Sequence, residues 1–240
     1  MTREFQNYIG GEWVDAQSGE RLEWNDPATG ELLHTFPRSA KADVDAAVQA
    51  ASAAFETTDW RTSPERRITA LTKFAAKLRE REEALRTMLI RESGKLFAVA
   101  RSEVTTSAQS AEYYAGLINW VYGRANEPTS DSISILLREP VGVVGQITPW
   151  HLPLALFTRP LAPALAAGCA IVAKPAEQAS GVALLLAEII HEIEEIPPGI
   201  FNVVTGLGEE AGDALARHED VDMITFTGGT DTGRLIMQAA

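Results

Sequence analysis

The stretch I-T-F-T-G-G-T-D-T-G, Ile224 to Gly233, decides the reading of this chain. An apolar run, Met223 to Phe226, meets a turn carrying Gly228, Gly229 and Gly233, and a helical pattern follows. A strand, a glycine turn and a helix start together form an anion-binding device, because free backbone N–H groups and the helix dipole face the same point. Gly228 and Gly229 remove the Cβ atoms that would keep a pyrophosphate away from the backbone. Read with K-P-A-E at Lys174 to Glu177, the stretch points to a dinucleotide site.

Outward from that turn, the second half of the chain alternates between two periodicities. The pattern predicts strands at Val141–Ile147, Ala170–Ala173, Phe201–Val204 and Met223–Phe226. Helices are predicted between them at Ala155–Ala167, Ser180–Glu195 and Glu209–Arg217. Such alternation means an α/β fold with a doubly wound parallel sheet. Upstream, Phe5 to Phe36 carries short alternating runs broken by Gly10-Gly11, Ser18-Gly19 and Thr29-Gly30, which predicts hairpins. Val44, Ala47, Val48, Ala51 and Phe55 then recur at helical spacing. Ser63-Pro64 marks a further helix start, with Ser63 as cap, and one apolar face runs on to about Ile90. A third helix is predicted over Leu96 to Tyr122, with Tyr113, Tyr114 and Trp120 expected to pack in the core. The domain reading is a hairpin and helical part over residues 1–121, an arm over 122–140 and the strand–helix part over 141–240.

Composition narrows the function. A net charge of −12 with scattered basic residues argues against a nucleic-acid partner. The single cysteine, Cys169, excludes an intrachain disulfide, and a reducing cytoplasm fits it best. The four histidines and this cysteine show no metal-ligand spacing, so no metal is expected. The N-terminus lacks the apolar segment of a signal peptide. The longest apolar run, Leu161 to Ala173, is too short for a membrane span and reads as core.

In a doubly wound sheet, ligands bind beyond the carboxyl ends of the strands. Three motifs fall there: T-P-W-H (Thr148 to His151), K-P-A-E, and T-G-G-T-D-T-G (Thr227 to Gly233). Each alone is weak, since a lysine at a strand end is most often a solvated charge. Together they supply complementary groups. Lys174 and Glu177 can both bond a ribose hydroxyl, and an acid there repels a 2′-phosphate, which favours NAD over NADP.

With these motifs assembled, the chain resembles the aldehyde dehydrogenase superfamily from end to end. The matching strings are YIGGEWVDAQSGE, NDPATGE, EPVGVVGQITPW, PLAPALAAGCAIVAKPAE, PPGIFNVVTG and ITFTGGTDTGRLIMQAA. The resemblance implies a Rossmann-like sheet of the aldehyde dehydrogenase type and an NAD(P)-dependent oxidation of an aldehyde to a carboxylate through a cysteine thioester. It implies that Ile147, Thr148 and Trp150 line the cofactor cleft, with Ala176 and Gly208 beside them. Lys174 and Glu177 would take the adenosine ribose, and Gly228, Gly229 and Gly233 the pyrophosphate. Residues 122–140 would be the arm through which members form homo-oligomers.

Two departures stand out. Members of that family are longer, and their nucleophilic Cys and general-base Glu lie downstream of the glycine turn. The expectation is therefore the N-terminal, cofactor-binding portion of such an enzyme, binding NAD weakly by itself and oxidising no aldehyde. Alternatives are a non-catalytic or split NAD-binding subunit, and a reductase of acyl thioesters or acyl phosphates with the same fold. The second departure is His151, which stands where the family commonly has an Asn that donates to the oxyanion. A histidine ring N–H can donate too; the other reading is that His151 caps or fills the helix start.

Overall fold

A computed structural model describes residues 2–240. In chain order the strands and helices are β1 (Arg3–Glu4), β2 (Asn7–Ile9), β3 (Glu12–Val14), β4 (Arg21–Asn25), β5 (Leu32–Pro37), α1 (Lys41–Thr57), α2 (Pro64–Glu80), α3 (Glu82–Ser93) and α4 (Phe97–Leu117). They continue as β6 (Arg124–Thr129), β7 (Ser132–Leu136), β8 (Val143–Thr148), α5 (Pro153–Ala167), β9 (Ala170–Pro175), α6 (Ser180–His191), β10 (Phe201–Val203), α7 (Asp213–Ala216), β11 (Met223–Phe226) and α8 (Thr230–Ala239).

The apolar runs in β8 and β9 carry no polar alternation because both faces of the sheet are covered. Every residue of β9 is buried, as are five of the six in β8. The main sheet has the order β11-β8-β9-β10-β2-β3. Its first four strands are parallel, and the β2–β3 hairpin closes one edge antiparallel to β10. The strand–helix alternation thus produces the doubly wound sheet expected from it. The hairpin expected at Thr29-Gly30 is β4–β5, which joins β1 in a separate three-stranded sheet, whereas Ser18-Gly19 makes no hairpin because it links β3 and β4 of different sheets.

Two glycines fix how the parallel strands begin. Gly168 ends α5 at φ 94°, and a Cβ there would lie 3.2 Å from the Arg61 Cα. Gly142, at φ 121°, makes room for Asp222, whose carboxylate accepts the Val143 N–H at 2.8 Å. A Cβ on Gly142 would strike that carboxylate at 2.0 Å. These contacts tie the starts of β8 and β11 together.

Several local expectations need correcting. The apolar face predicted from Pro64 to Ile90 is carried by two helices, α2 and α3, broken at Arg81, whose backbone leaves the helical region at ψ 15°. Ser63 stands at the N-cap position of α2 but its hydroxyl makes no capping bond. The helix read over residues 209–217 is a π-helical turn, Gly208–Gly212, followed by the four residues of α7. The helix expected from Leu96 to Tyr122 ends its α-helical part at Leu117.

Tyr113 and Trp120 are not core residues: they are 62% and 69% exposed, and Tyr114 is half-buried. The buried face of α4 is drawn instead by small residues, Ala100, Val104, Ala108, Ala111 and Ala115, which let it approach α2 and α5 closely. Large aromatics had no room on that face.

Candidate functional site

Strand register brings the three motifs to one edge. Ile147 in β8 lies opposite Lys174 in β9 on one side and Phe226 in β11 on the other. The ladder continues one step past the strands: Thr227 N–H donates to the Ile147 carbonyl at 3.2 Å, and Ala176 N–H to the Thr148 carbonyl at 2.9 Å. T-P-W-H, K-P-A-E and the glycine turn therefore leave the sheet side by side at its carboxyl edge, where an open α/β sheet binds ligands.

Lys174 is the unusual group there. It is only 2% exposed, and its Nζ stands 3.5 Å from Glu177 Oε2. Burial pushes its ammonium below the ordinary lysine value, while the Glu177 and Glu209 carboxylates pull the other way. A buried amine at a strand end, with one moderately placed counter-ion, still has donor capacity for a ligand. Beside it runs a cleft of about 340 Å³, walled by Ile147, Gly208, Glu209 and Gly212 on one side and by Thr232 and Leu235 of α8 on the other. Gly212 brings that wall next to the lysine stem: a Cβ there would make ordinary contact with the Lys174 Cδ at 3.9 Å.

The glycine turn has ordinary backbone angles: Gly228, Gly229 and Gly233 are not among the positive-φ glycines. Their role is room. A Cβ on Gly228 would fall 2.5 Å from the Phe226 ring, and one on Gly233 3.3 Å from it, so Phe226 folds beneath the turn. Gly229 faces open space and precedes α8 in an extended conformation.

The helix starts at this edge differ in electrostatics. α5 begins with Pro153, and the next two N–H groups, of Leu154 and Ala155, donate to Glu103 Oε2 at 3.1 and 3.2 Å. α6 begins likewise on Glu92, whose two oxygens accept Gly181 N–H at 2.6 Å and Val182 N–H at 3.0 Å. Both carboxylates are buried, Glu92 beside His34 at 2.7 Å and Glu103 beside Lys95. α8 has no such side-chain cap among the described residues. The α5 and α6 starts are thus met by buried carboxylates from other helices, whereas the first N–H groups of α8, whose first turn carries the solvent-exposed Asp231, take no such carboxylate among the described residues.

Trp150 and His151 lie apart from this cleft, beyond the end of β8. Both are exposed; their rings are perpendicular with centroids 6.4 Å apart. The His151 ring makes no hydrogen bond among the described residues, and the His151 carbonyl accepts from Lys95 Nζ at 3.1 Å. Of the residues expected to bind the cofactor, Ile147 and Gly208 line the cleft, while Lys174 lies behind Gly212 with Glu177 beside it. Gly228, Gly229 and Gly233, with Thr148 and Ala176, share the carboxyl edge of the sheet but do not line the cleft. His151 and Trp150 belong to a neighbouring turn.

Sequence reading missed Glu92, Lys95, Glu103 and Glu209. The first and third had a detectable signal: each is an acid set within an otherwise apolar helical face, Glu92 after Leu85 and Leu89, and Glu103 between Ala100 and Ser107. An acid on a buried face requires a partner. No cluster of three or more His, Cys, Asp or Glu side chains suited to a metal ion occurs among the described residues. No helix among them is long and apolar enough to cross a membrane.

Residues 13–240 match the Aldehyde dehydrogenase family, and the chain belongs to that family. It is 43% identical to aldehyde dehydrogenase 1 of Tanacetum cinerariifolium, covering 97% of this chain and 47% of that protein. It is 42% identical to acetaldehyde dehydrogenase 2 of Cupriavidus necator, covering 99% and 47%. The betaine aldehyde dehydrogenase of Staphylococcus aureus, solved in complex with NAD+, superposes with a TM-score of 0.95 at 34% identity, over 98% of this chain and 47% of that one. The chain spans about half the length of the curated relatives it matches.

Proposed function

We propose that this chain is the cofactor-binding half of an NAD-dependent aldehyde dehydrogenase, which oxidises an aldehyde to a carboxylate. The observation that carries the reading is the shared carboxyl edge on which Lys174, Glu177, the cleft and the uncapped α8 meet. Lys174 Nζ and Glu177 would hold the adenosine ribose, Leu235 and Ile147 offer an apolar wall for the adenine, and the backbone of Gly228, Gly229 and the first turn of α8 would take the pyrophosphate. When bound, NAD supplies the hydride acceptor. On this reading Trp150 and His151 serve the reacting end, where a His151 ring N–H would donate to an oxyanion.

Two carboxylates, Glu177 and Glu209, act on Lys174, and both disfavour the extra phosphate of NADP. Cys169 is not the nucleophile: it is 3% exposed and burial pushes its thiol upward, away from thiolate. The nucleophile belongs to sequence outside these 240 residues. The β6–β7 arm, exposed along its whole length with Ile133, Ile135 and Leu136 in the open, serves homo-oligomer assembly. The absence of any possible disulfide suits a cytoplasmic location.

Calorimetric titration with the two coenzymes tests the cofactor reading. NAD should bind at least about tenfold more tightly than NADP, a difference of about 1.4 kcal/mol. Glu177→Thr should narrow that gap. Equal affinities in the unmutated protein, or no binding of either, would refute it. For the complete enzyme, aldehyde-dependent formation of NADH is the matching assay.

A further inference from the structure

A buried ion pair outside the cofactor cleft is wired to the turn that carries His151. Lys95 follows the left-handed Gly94 that ends α3, and its side chain is 9% exposed. Its ammonium bonds two groups: Glu103 Oε1 from α4, and the His151 carbonyl at 3.1 Å. The other oxygen of Glu103 takes the Leu154 and Ala155 N–H groups that start α5. The residue at the N-cap, Leu152, has no side-chain oxygen, and Pro153 has no N–H. The α5 start therefore owes its capping to a carboxylate reaching in from another helix.

We propose that Lys95 and Glu103 are positioning residues that fix the Thr148–Leu152 turn, and through it the His151 ring, for the oxidation step. This rests on the aldehyde dehydrogenase reading above and on His151 serving the oxyanion. Glu103 pins the turn from its C-terminal side through the α5 amides. Lys95 pins it from the His151 carbonyl and balances the buried Glu103 charge at the same time. The N-terminal side is already pinned by the Ala176 N–H to Thr148 carbonyl bond at 2.9 Å. A turn held at both ends and at its middle carbonyl leaves His151 little backbone freedom, although its ring is solvent-exposed. Oxyanion donors need that restriction, because their contribution depends on placement within a fraction of an ångström.

The test uses the complete enzyme with Lys95→Met, Lys95→Gln, Lys95→Arg and His151→Ala. The Met and Gln variants should lose about 10- to 100-fold in kcat, with the NAD dissociation constant unchanged within about twofold. Lys95→Arg should restore most of the rate, because a guanidinium can span both acceptors. Hydrogen exchange at the Leu154 and Ala155 amides should quicken in Lys95→Met and not in His151→Ala, a readout that needs no turnover. Lower kcat in His151→Ala alongside an unchanged kcat in both Lys95→Met and Lys95→Gln would overturn the positioning role alone. So would parallel losses of kcat and NAD affinity, which indicate general loosening. An unchanged kcat in His151→Ala would overturn the oxyanion reading and this role with it.

Discussion

Replacing Lys174 by Met separates what this lysine does for a ligand from what it does to the fold. Lys174 is 2% exposed, faces a single close carboxylate at 3.5 Å, and burial holds its ammonium below the ordinary value of 10.5. A methionine fills nearly the same volume without the charge, and Glu177, a third exposed, remains solvated after the change. Replacing a whole buried ion pair by packed apolar side chains is neutral to stabilising by about 1–4 kcal/mol. Here the partner carboxylate keeps its solvent, so removing the lysine alone should gain the lower part of that range, about 1–2 kcal/mol. In a domain of this size each kcal/mol moves the melting temperature by roughly 2–4 °C. Lys174→Met should therefore melt roughly 2–8 °C higher at neutral pH.

The pH dependence fixes the sign. With the folded value depressed, the unfolded chain binds more protons between that value and 10.5, so wild-type stability rises with pH across this window. Methionine has no such term, and the gap between the two melting curves should shrink as pH approaches 10.5. Over the same substitution NAD should bind about tenfold more weakly or worse, since a charged hydrogen bond to the ribose is worth about 1.5–3 kcal/mol. Differential scanning calorimetry against pH, paired with coenzyme titration, reads both quantities. A variant that melts lower at neutral pH, or binds NAD as well as wild type, would show that Lys174 is a structural ion-pair partner and nothing more.

Two further changes probe the elements that shape the edge. Glu92→Ala removes the carboxylate from Gly181, Val182 and His34 together, and should cost about 3–5 kcal/mol in urea unfolding, as loss of one member of a buried charged network does; a cost below about 1 kcal/mol would mean that water replaces it. Gly228→Ala should weaken NAD binding about tenfold by driving a methyl into the Phe226 ring 2.5 Å away, and Phe226→Leu in the same chain should recover most of the loss; failure of that second change to recover binding would place the role of Gly228 in the backbone itself.

The inner parallel strands were legible because burial on both faces writes itself as apolar runs, and the edge strand Met223–Phe226, only partly covered, is nonetheless bounded by the structure as the sequence places it. The register of β8, β9 and β11 was not written anywhere in one segment, yet its consequence was. Three polar turns at the ends of three such runs can share an edge only if the strands are parallel and adjacent, as they are. What stayed hidden depended on contacts between segments far apart in the chain. Tyr113 and Trp120 have the composition of core residues, and only the close packing of α4 against α2 and α5 shows that small side chains took that face.

Glu92 and Glu103 show the same limit from the other side. In a helical reading each is one polar residue on an apolar face, and the sequence does not say which backbone amides it meets. Their partners lie on α6 and α5, some 89 and 51 residues away. Yet these two acids give the glycine turn its meaning. At a sheet edge with several helix starts, an anion site is specified only if the protein silences starts it does not use. Glu103 and Glu92 silence α5 and α6 with buried charge. Gly229 brings no side chain to the α8 start and Asp231 in its first turn is solvent-exposed, so on the proposed reading the selectivity of the edge for one phosphate position resides as much in the helices packed behind the sheet as in the motif that faces the ligand.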